Sequence, residues 1–248
     1  MKKKFFILWV VGIVSTAAVL PYAFTLQHDV IAKVAQPLAV IILASITQTA
    51  VLLAIAIFFG LKLSERLNLP TLTLFEPNIS LKEKLSSLLL LTVPAGAITA
   101  VLITLGDKLF GQYIPQLTIA NSQVAIWKTL LAALYGGTVE ELLMRLFVMS
   151  LFAWILAKLS RSTEPAKNGT IMWVAIIVSS VLFGLGHLPI TSALATITPL
   201  VIFRAIILNG IGGLVFGWLY WKKGLEHAMV AHFTADVVLL AILPALLK

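Results

Sequence analysis

Val139-Glu140-Glu141-Leu142-Leu143-Met144-Arg145-Leu146-Phe147 places three ionisable side chains inside an apolar run that extends from 122 to 159. A charge at hydrocarbon depth costs about 2.5–3.5 kcal/mol on insertion scales, so such residues face a bundle interior and usually have a task. On an α-helix Glu141 and Arg145 are four apart and can pair, whereas Glu140 points about 100° away from Glu141. A packing ion pair accounts for Glu141 and Arg145. Glu140 is left over as the carboxylate available for chemistry.

The surrounding chain decides the class. Its 248 residues are 60% hydrophobic and 11% charged, with mean hydropathy +1.04, against about 25% charged residues in soluble domains. This reads as an all-α, polytopic transmembrane helix bundle, forming a single integral membrane domain over 1–248. The net charge of +8 lies mainly in short segments between apolar runs, where Lys and Arg orient membrane proteins. Membrane lipid is therefore the expected surrounding and nucleic acid is not a partner. With no Cys, disulfides, thiolate nucleophiles and Cys-ligated metal are excluded, and chemistry falls to Glu, Asp, His, Ser or Thr.

Lys2 to Lys4 precede an apolar run from Phe5 to about Phe24 with no convincing small-residue cleavage site, which reads as an uncleaved first helix. A second span lies within 31–61, where Ser45, Thr47, Gln48 and Thr49 are expected to face other helices. A polar loop from Lys62 to Lys84, containing Pro70 and Pro77, leads to a third span at 85–105, and a loop with Asp107 follows. Together these form the N-terminal helices, 1–110. The run 122–159 would be about 57 Å long if wholly helical, more than one crossing of ~30 Å needs. Gly136-Gly137 is the expected interruption, with close helix packing as the other reading of those glycines. Further spans are expected at 170–187, in 190–223, which is again long for one crossing, and from Gly224 onward, making seven spans or eight. Seven spans with an inside N-terminus put Lys2 to Lys4, the Lys62–Lys84 loop, Lys158 to Lys167 and Lys222-Lys223 on one side. That is twelve of the eighteen basic residues, as the positive-inside rule favours. Helix-rise arithmetic puts Glu140 and His187 at one depth but His232 only about 10 Å from the start of its helix. Convergence of the polar residues is expected to override that mismatch.

Glu140, His187, His232 and Asp236 are the intramembrane groups able to activate a water, hold an oxyanion or bind a divalent metal. His232 and Asp236, four apart, share a helix face. Glu226 and His227, nearer the helix start, read as interfacial, and Arg204 as an ion-path or carboxylate-binding residue. Neither H-E-x-x-H nor G-x-S-x-G occurs.

Glu140-Glu141-x-x-x-Arg145, Phe183-x-x-x-His187 and His232-x-x-x-Asp236, in that order and each in an apolar segment, resemble the signature of the CAAX protease and bacteriocin-processing family of intramembrane proteases. Type II CAAX prenyl endopeptidases are among its members. The resemblance covers roughly 120–240, a CAAX-protease-like catalytic core that includes the stretch from Gly212-Gly213 to Tyr220. It implies an endopeptidase that hydrolyses a peptide bond in a hydrophobic or lipid-modified peptide or membrane protein, with a buried polar active-site cavity. Glu140 would be the general base, helped by His187. His232 and Asp236 would stabilise the oxyanion or, in a metal-dependent variant, join Glu140 and His187 around a divalent ion such as Zn; a metal-free glutamate mechanism is the other option. Glu141, Arg145 and Phe183 would be supporting residues. Asp236 stands where prenyl endopeptidases typically carry Asn, which favours metal involvement and weakens the case for a prenylated substrate. The alternatives are a noncatalytic scaffold or immunity factor and, third, a secondary transporter, although no repeated halves are visible. A prokaryotic cell membrane is the expected location.

Overall fold

A computed structural model describes residues 1–73, 80–115, 117 and 124–246; Pro77 and the start of the 122–159 run lie outside them. Among the described residues seven helices are long and apolar enough to cross a membrane. They are α1 (Lys2–Leu26), α2 (Leu38–Leu67), α3 (Leu81–Gly111), α4 (Ile126–Leu159), α5 (Gly169–Gly186), α6 (Pro199–Lys223) and α7 (Leu225–Leu246). The chain is an integral membrane helix bundle, as its composition indicates, and the possible eighth span is not found among the described residues.

The boundaries follow local chemistry. α2 runs past Lys62 to Leu67 and stops where Asn68 adopts the left-handed conformation, φ 55°. α3 begins earlier than expected because Ser80 and Glu83 form a capping box, satisfying two amide donors that the first turn leaves open. The polar loop therefore shrinks from both ends, and Asp107 belongs to α3. Asn168 caps α5 through the amide of Ile171 at 3.2 Å. Thr198 caps α6 through the amide of Val201, with Pro199 in the first turn. The 190–223 segment resolves into a short helix, Leu188–Ser192, and one crossing by α6.

The expected break at Gly136-Gly137 is absent: α4 is one helix of 34 residues. Its middle is wound as π-helix over Gly136–Glu140 and Leu142–Met149, a form that is rare and concentrated at functional sites. The glycines serve packing instead. A Cβ on Gly137 would stand 2.8 Å from the Met229 carbonyl oxygen and from the Phe233 Cβ, and one on Gly136 would collide with the Asp236 carboxylate. These two positions let α4 lie directly against α7. Gly184 does the same for α5 and α6, where a Cβ would be 2.6 Å from the Ile206 Cα.

α4 is the central helix, packed against α1, α2, α5 and α7, while α7 also contacts α3 and α6. At the basic end Lys4 Nζ donates to the Thr71 carbonyl at 2.7 Å, Trp221 Nε1 donates to the Ala166 carbonyl at 2.8 Å, and Thr73 donates to the Glu226 carboxylate. Glu226 is thus a buried structural partner, 4% exposed, and not an interfacial charge. The α6–α7 turn at Gly224 is covered, with Leu225 fully buried, so α7 starts inside the bundle instead of at its rim. This recess lets His232, near the start of α7, reach the depth of Glu140.

Candidate active site

Glu140 lies between two imidazoles. Its Oε1 is 3.9 Å from His187 Nε2 and its Oε2 is 3.6 Å from His232 Nε2, while Asp236 Oδ2 is also 3.6 Å from His232 Nε2. Three helices, α4, α5 and α7, therefore bring the four residues together, with His187 placed at the C-cap of α5. All three separations exceed a direct hydrogen bond and are of the size that a shared water closes.

Both histidines are held by their other nitrogen. His187 Nδ1 is 2.9 Å from the Phe183 carbonyl; a carbonyl only accepts, so Nδ1 carries the proton and Nε2 faces Glu140 with its lone pair. His232 Nδ1 is 2.7 Å from Glu141 Oε1. Glu141 also faces Arg145 at 3.3 Å, and an ionised carboxylate accepts from Nδ1–H. The Glu141–Arg145 pair expected from the spacing is present, and Glu141 has a second task that spacing did not reveal: it orients His232. The Arg145 guanidinium lies 4.8 Å from the Phe183 ring centre and 5.5 Å from that of Phe216. Such contacts stabilise a cation removed from water. Phe216 also stacks on His232, centroids 4.5 Å apart, and Phe183 stands edge-on to both imidazoles.

The cluster lines the inner end of a cavity of about 750 Å³, whose wall includes Tyr22 of α1, Ser45 and Thr49 of α2, and Asn209 and Gly212 of α6. Thr47 and Gln48, expected to face neighbours, are exposed on the outside of α2. Side-chain exposure separates two roles: Glu140 (23%), Asp236 (20%) and His187 (31%) are open to the cavity, whereas Glu141 (0%) and His232 (5%) are enclosed. Gly186 has nothing within 4 Å of an added Cβ and borders the cavity. Arg204 is bound to Asp107, with Nη2–Oδ1 2.7 Å and Nε–Oδ1 2.8 Å, so its charge is already matched.

Two imidazole nitrogens and two carboxylates are chemically suited to a divalent ion. Among the described residues, however, no three His, Cys, Asp or Glu side chains form a group that could hold a metal ion. The residues do not fit a preformed metal centre, and no step below passes through one.

Phe216 is a site residue that sequence reasoning missed. It falls within the stretch from Gly212 to Tyr220 but carries no charge to draw attention. Of the two readings of Gly136, one turn before Glu140, close helix packing holds and the helix break does not.

Fold and site together define a polytopic helical membrane protein with a carboxylate–imidazole cluster at the closed end of a cavity. Residues 122–238, which contain all three motifs, match the family described as Type II CAAX prenyl endopeptidase Rce1-like, so this segment of the chain is similar to that family. No curated protein and no solved structure matches it.

Proposed function

We propose that the protein hydrolyses a peptide bond in a hydrophobic or lipid-modified peptide or membrane protein, using a water activated by Glu140 and His187 without a metal. The observation that carries this reading is the pair of acceptors, Glu140 Oε1 and His187 Nε2, 3.9 Å apart on the open side of the cluster. A water held between them gives its proton to Glu140 as its oxygen attacks the substrate carbonyl carbon. The carbonyl π pair moves to oxygen, and the resulting oxyanion is stabilised by His232 in its doubly protonated state, with Glu141 and Asp236 balancing the imidazolium. Glu140 then returns its proton to the amine as the C–N bond breaks, so the carboxylate is regenerated. Membrane lipid is the surrounding that would hold such substrates near the site.

The deciding experiment compares peptides released from membranes of cells expressing the wild type with those from cells expressing Glu140→Gln at equal level. Peptides present only with the wild type are expected; identical peptide sets would refute hydrolysis. Treating purified wild-type protein with a strong zinc chelator is expected to leave cleavage of such a peptide intact. A loss that added Zn reverses would overturn the metal-free step.

A further inference from the structure

We infer that the cavity opens on the membrane face opposite the basic end, the extracytoplasmic face, and takes an extended, largely apolar peptide segment from that side. The inference rests on the peptidase reading for its substrate, but its geometry stands apart from it.

The cavity is one-sided along every helix that borders it. Among the described residues its lining begins at Thr16 on α1 and continues to Leu26 and Gln27 at that helix's far end; on α4 it stops at Met144, and on α6 it stops at Phe216. On α5 and α7 it begins at Phe183 and His232. Because successive helices run in opposite directions, these limits describe one level, the catalytic level, and everything lining the cavity lies on the same side of it. Toward the basic end the bundle is closed by Leu146, Met149, Ser150, Leu219 and Tyr220, all 0% exposed. Ser150 and Tyr220 are also joined by a 2.9 Å hydrogen bond. On the other side, among the described residues, a smaller buried cluster of Ile114, Leu117 and Val201 flanks the cavity, while Gln27, Ile190, Leu194 and Arg204 are all partly exposed around its outer part.

The two ends differ in charge. Lys2 to Lys4 begin α1, Lys62 and Arg66 lie near the end of α2, and Lys222-Lys223 end α6; the contacts Lys4–Thr71, Trp221–Ala166 and Thr73–Glu226 hold this end together. The positive-inside rule makes it cytoplasmic. The cavity then runs outward. Arg204 precedes Phe216 by twelve residues on α6, about 18 Å of helix rise. That depth accommodates five or six residues of extended chain at about 3.3 Å each. The lining is mostly aliphatic, and the Arg204–Asp107 pair places a matched charge in the wall, so the geometry selects an apolar, uncharged segment entering end-on.

The chain has no Cys, so single cysteines report accessibility without background. Gln27→Cys at the outer part of the cavity, Asn209→Cys partway along it and Lys167→Cys at the basic end are each labelled with a membrane-impermeant maleimide in spheroplasts, before and after permeabilisation. Monodispersity in detergent checks folding. Gln27→Cys and Asn209→Cys are expected to label in sealed spheroplasts and Lys167→Cys only after permeabilisation. The reverse pattern overturns the orientation, and an Asn209→Cys that never labels while Gln27→Cys does overturns the open path. Labelling needs no hydrolysis, so its outcome is independent of Glu140→Gln. If peptides dependent on the wild type are found, their cleavage sites should lie at extracytoplasmic ends of membrane segments; sites in cytoplasmic loops would contradict the inference.

Discussion

Glu141 decides how His232 can act. Its Oε1 accepts from His232 Nδ1–H at 2.7 Å and faces Arg145 at 3.3 Å, all three side chains being 5% exposed or less. Glu141→Gln keeps the shape but replaces an ionised acceptor by an amide that can equally present its NH2 group, so the imidazole loses both its fixed tautomer and its counter-charge. Where an orienting carboxylate of this kind is neutralised, losses range from about tenfold to about 10⁴-fold. The expected result is a fall in kcat of at least about 100-fold, within that range, with little change in KM. Steady-state kinetics on a peptide identified by the release assay would measure it. A kcat within twofold of wild type, on the order of the kinetic error, would remove Glu141 from the mechanism. Spacing made Glu141 and Arg145 readable as a pair. The bond to His232 was not readable, because it joins residues 91 apart and depends on how deeply α7 is recessed.

At the scale of elements, the π-helical middle of α4 and the glycine face beside it explain why the site forms on one continuous helix. Apolar length alone suggested that 122–159 breaks, since a Gly pair and a double-length run look the same whether a helix stops or another helix presses against it. What sequence lacks is the partner: the Asp236 carboxylate and the Met229 carbonyl occupy the space of the missing Cβ atoms. Gly136→Ala is therefore expected to push Asp236 and His232 away, abolishing cleavage and lowering the thermal midpoint. Gly137→Ala must move backbone and should destabilise by about 1–3 kcal/mol, the range for overpacking. Gly210→Ala meets nothing within 4 Å and should be neutral or stabilise by up to about 1 kcal/mol, as expected for Ala over Gly in a helix. Thermal unfolding in detergent with a parallel cleavage assay tests all three, and a Gly136→Ala variant as active and stable as Gly210→Ala would contradict the packing account.

Across the molecule, the matched segment 122–238 does not contain the whole site environment: Tyr22, Ser45 and Thr49 line the cavity from helices that precede it. Hydropathy made the membrane class and approximate spans legible, and three short motifs made the catalytic candidates legible. The contribution of the first three helices was not, because a wall needs only size and polarity, which many sequences provide. Asp107 and Arg204 illustrate this: each alone is a charge in apolar sequence, and only the fold shows that they join α3 to α6 at 2.7 Å. Their side chains are 25% and 16% exposed, so the pair is screened less than a surface bridge but is not sealed from solvent. Removing one partner leaves a charge in a mostly apolar wall. For a fully buried pair that costs about 3–5 kcal/mol, and partial exposure brings the expectation down to about 1–3 kcal/mol. Asp107→Asn and Arg204→Gln should each lower stability by that amount, while the double variant should lose less than their sum because neither charge is then stranded. A double-mutant cycle read by thermal unfolding in detergent measures the coupling. Additive losses would mean that the two residues act separately and that α3 is held to α6 by apolar packing alone.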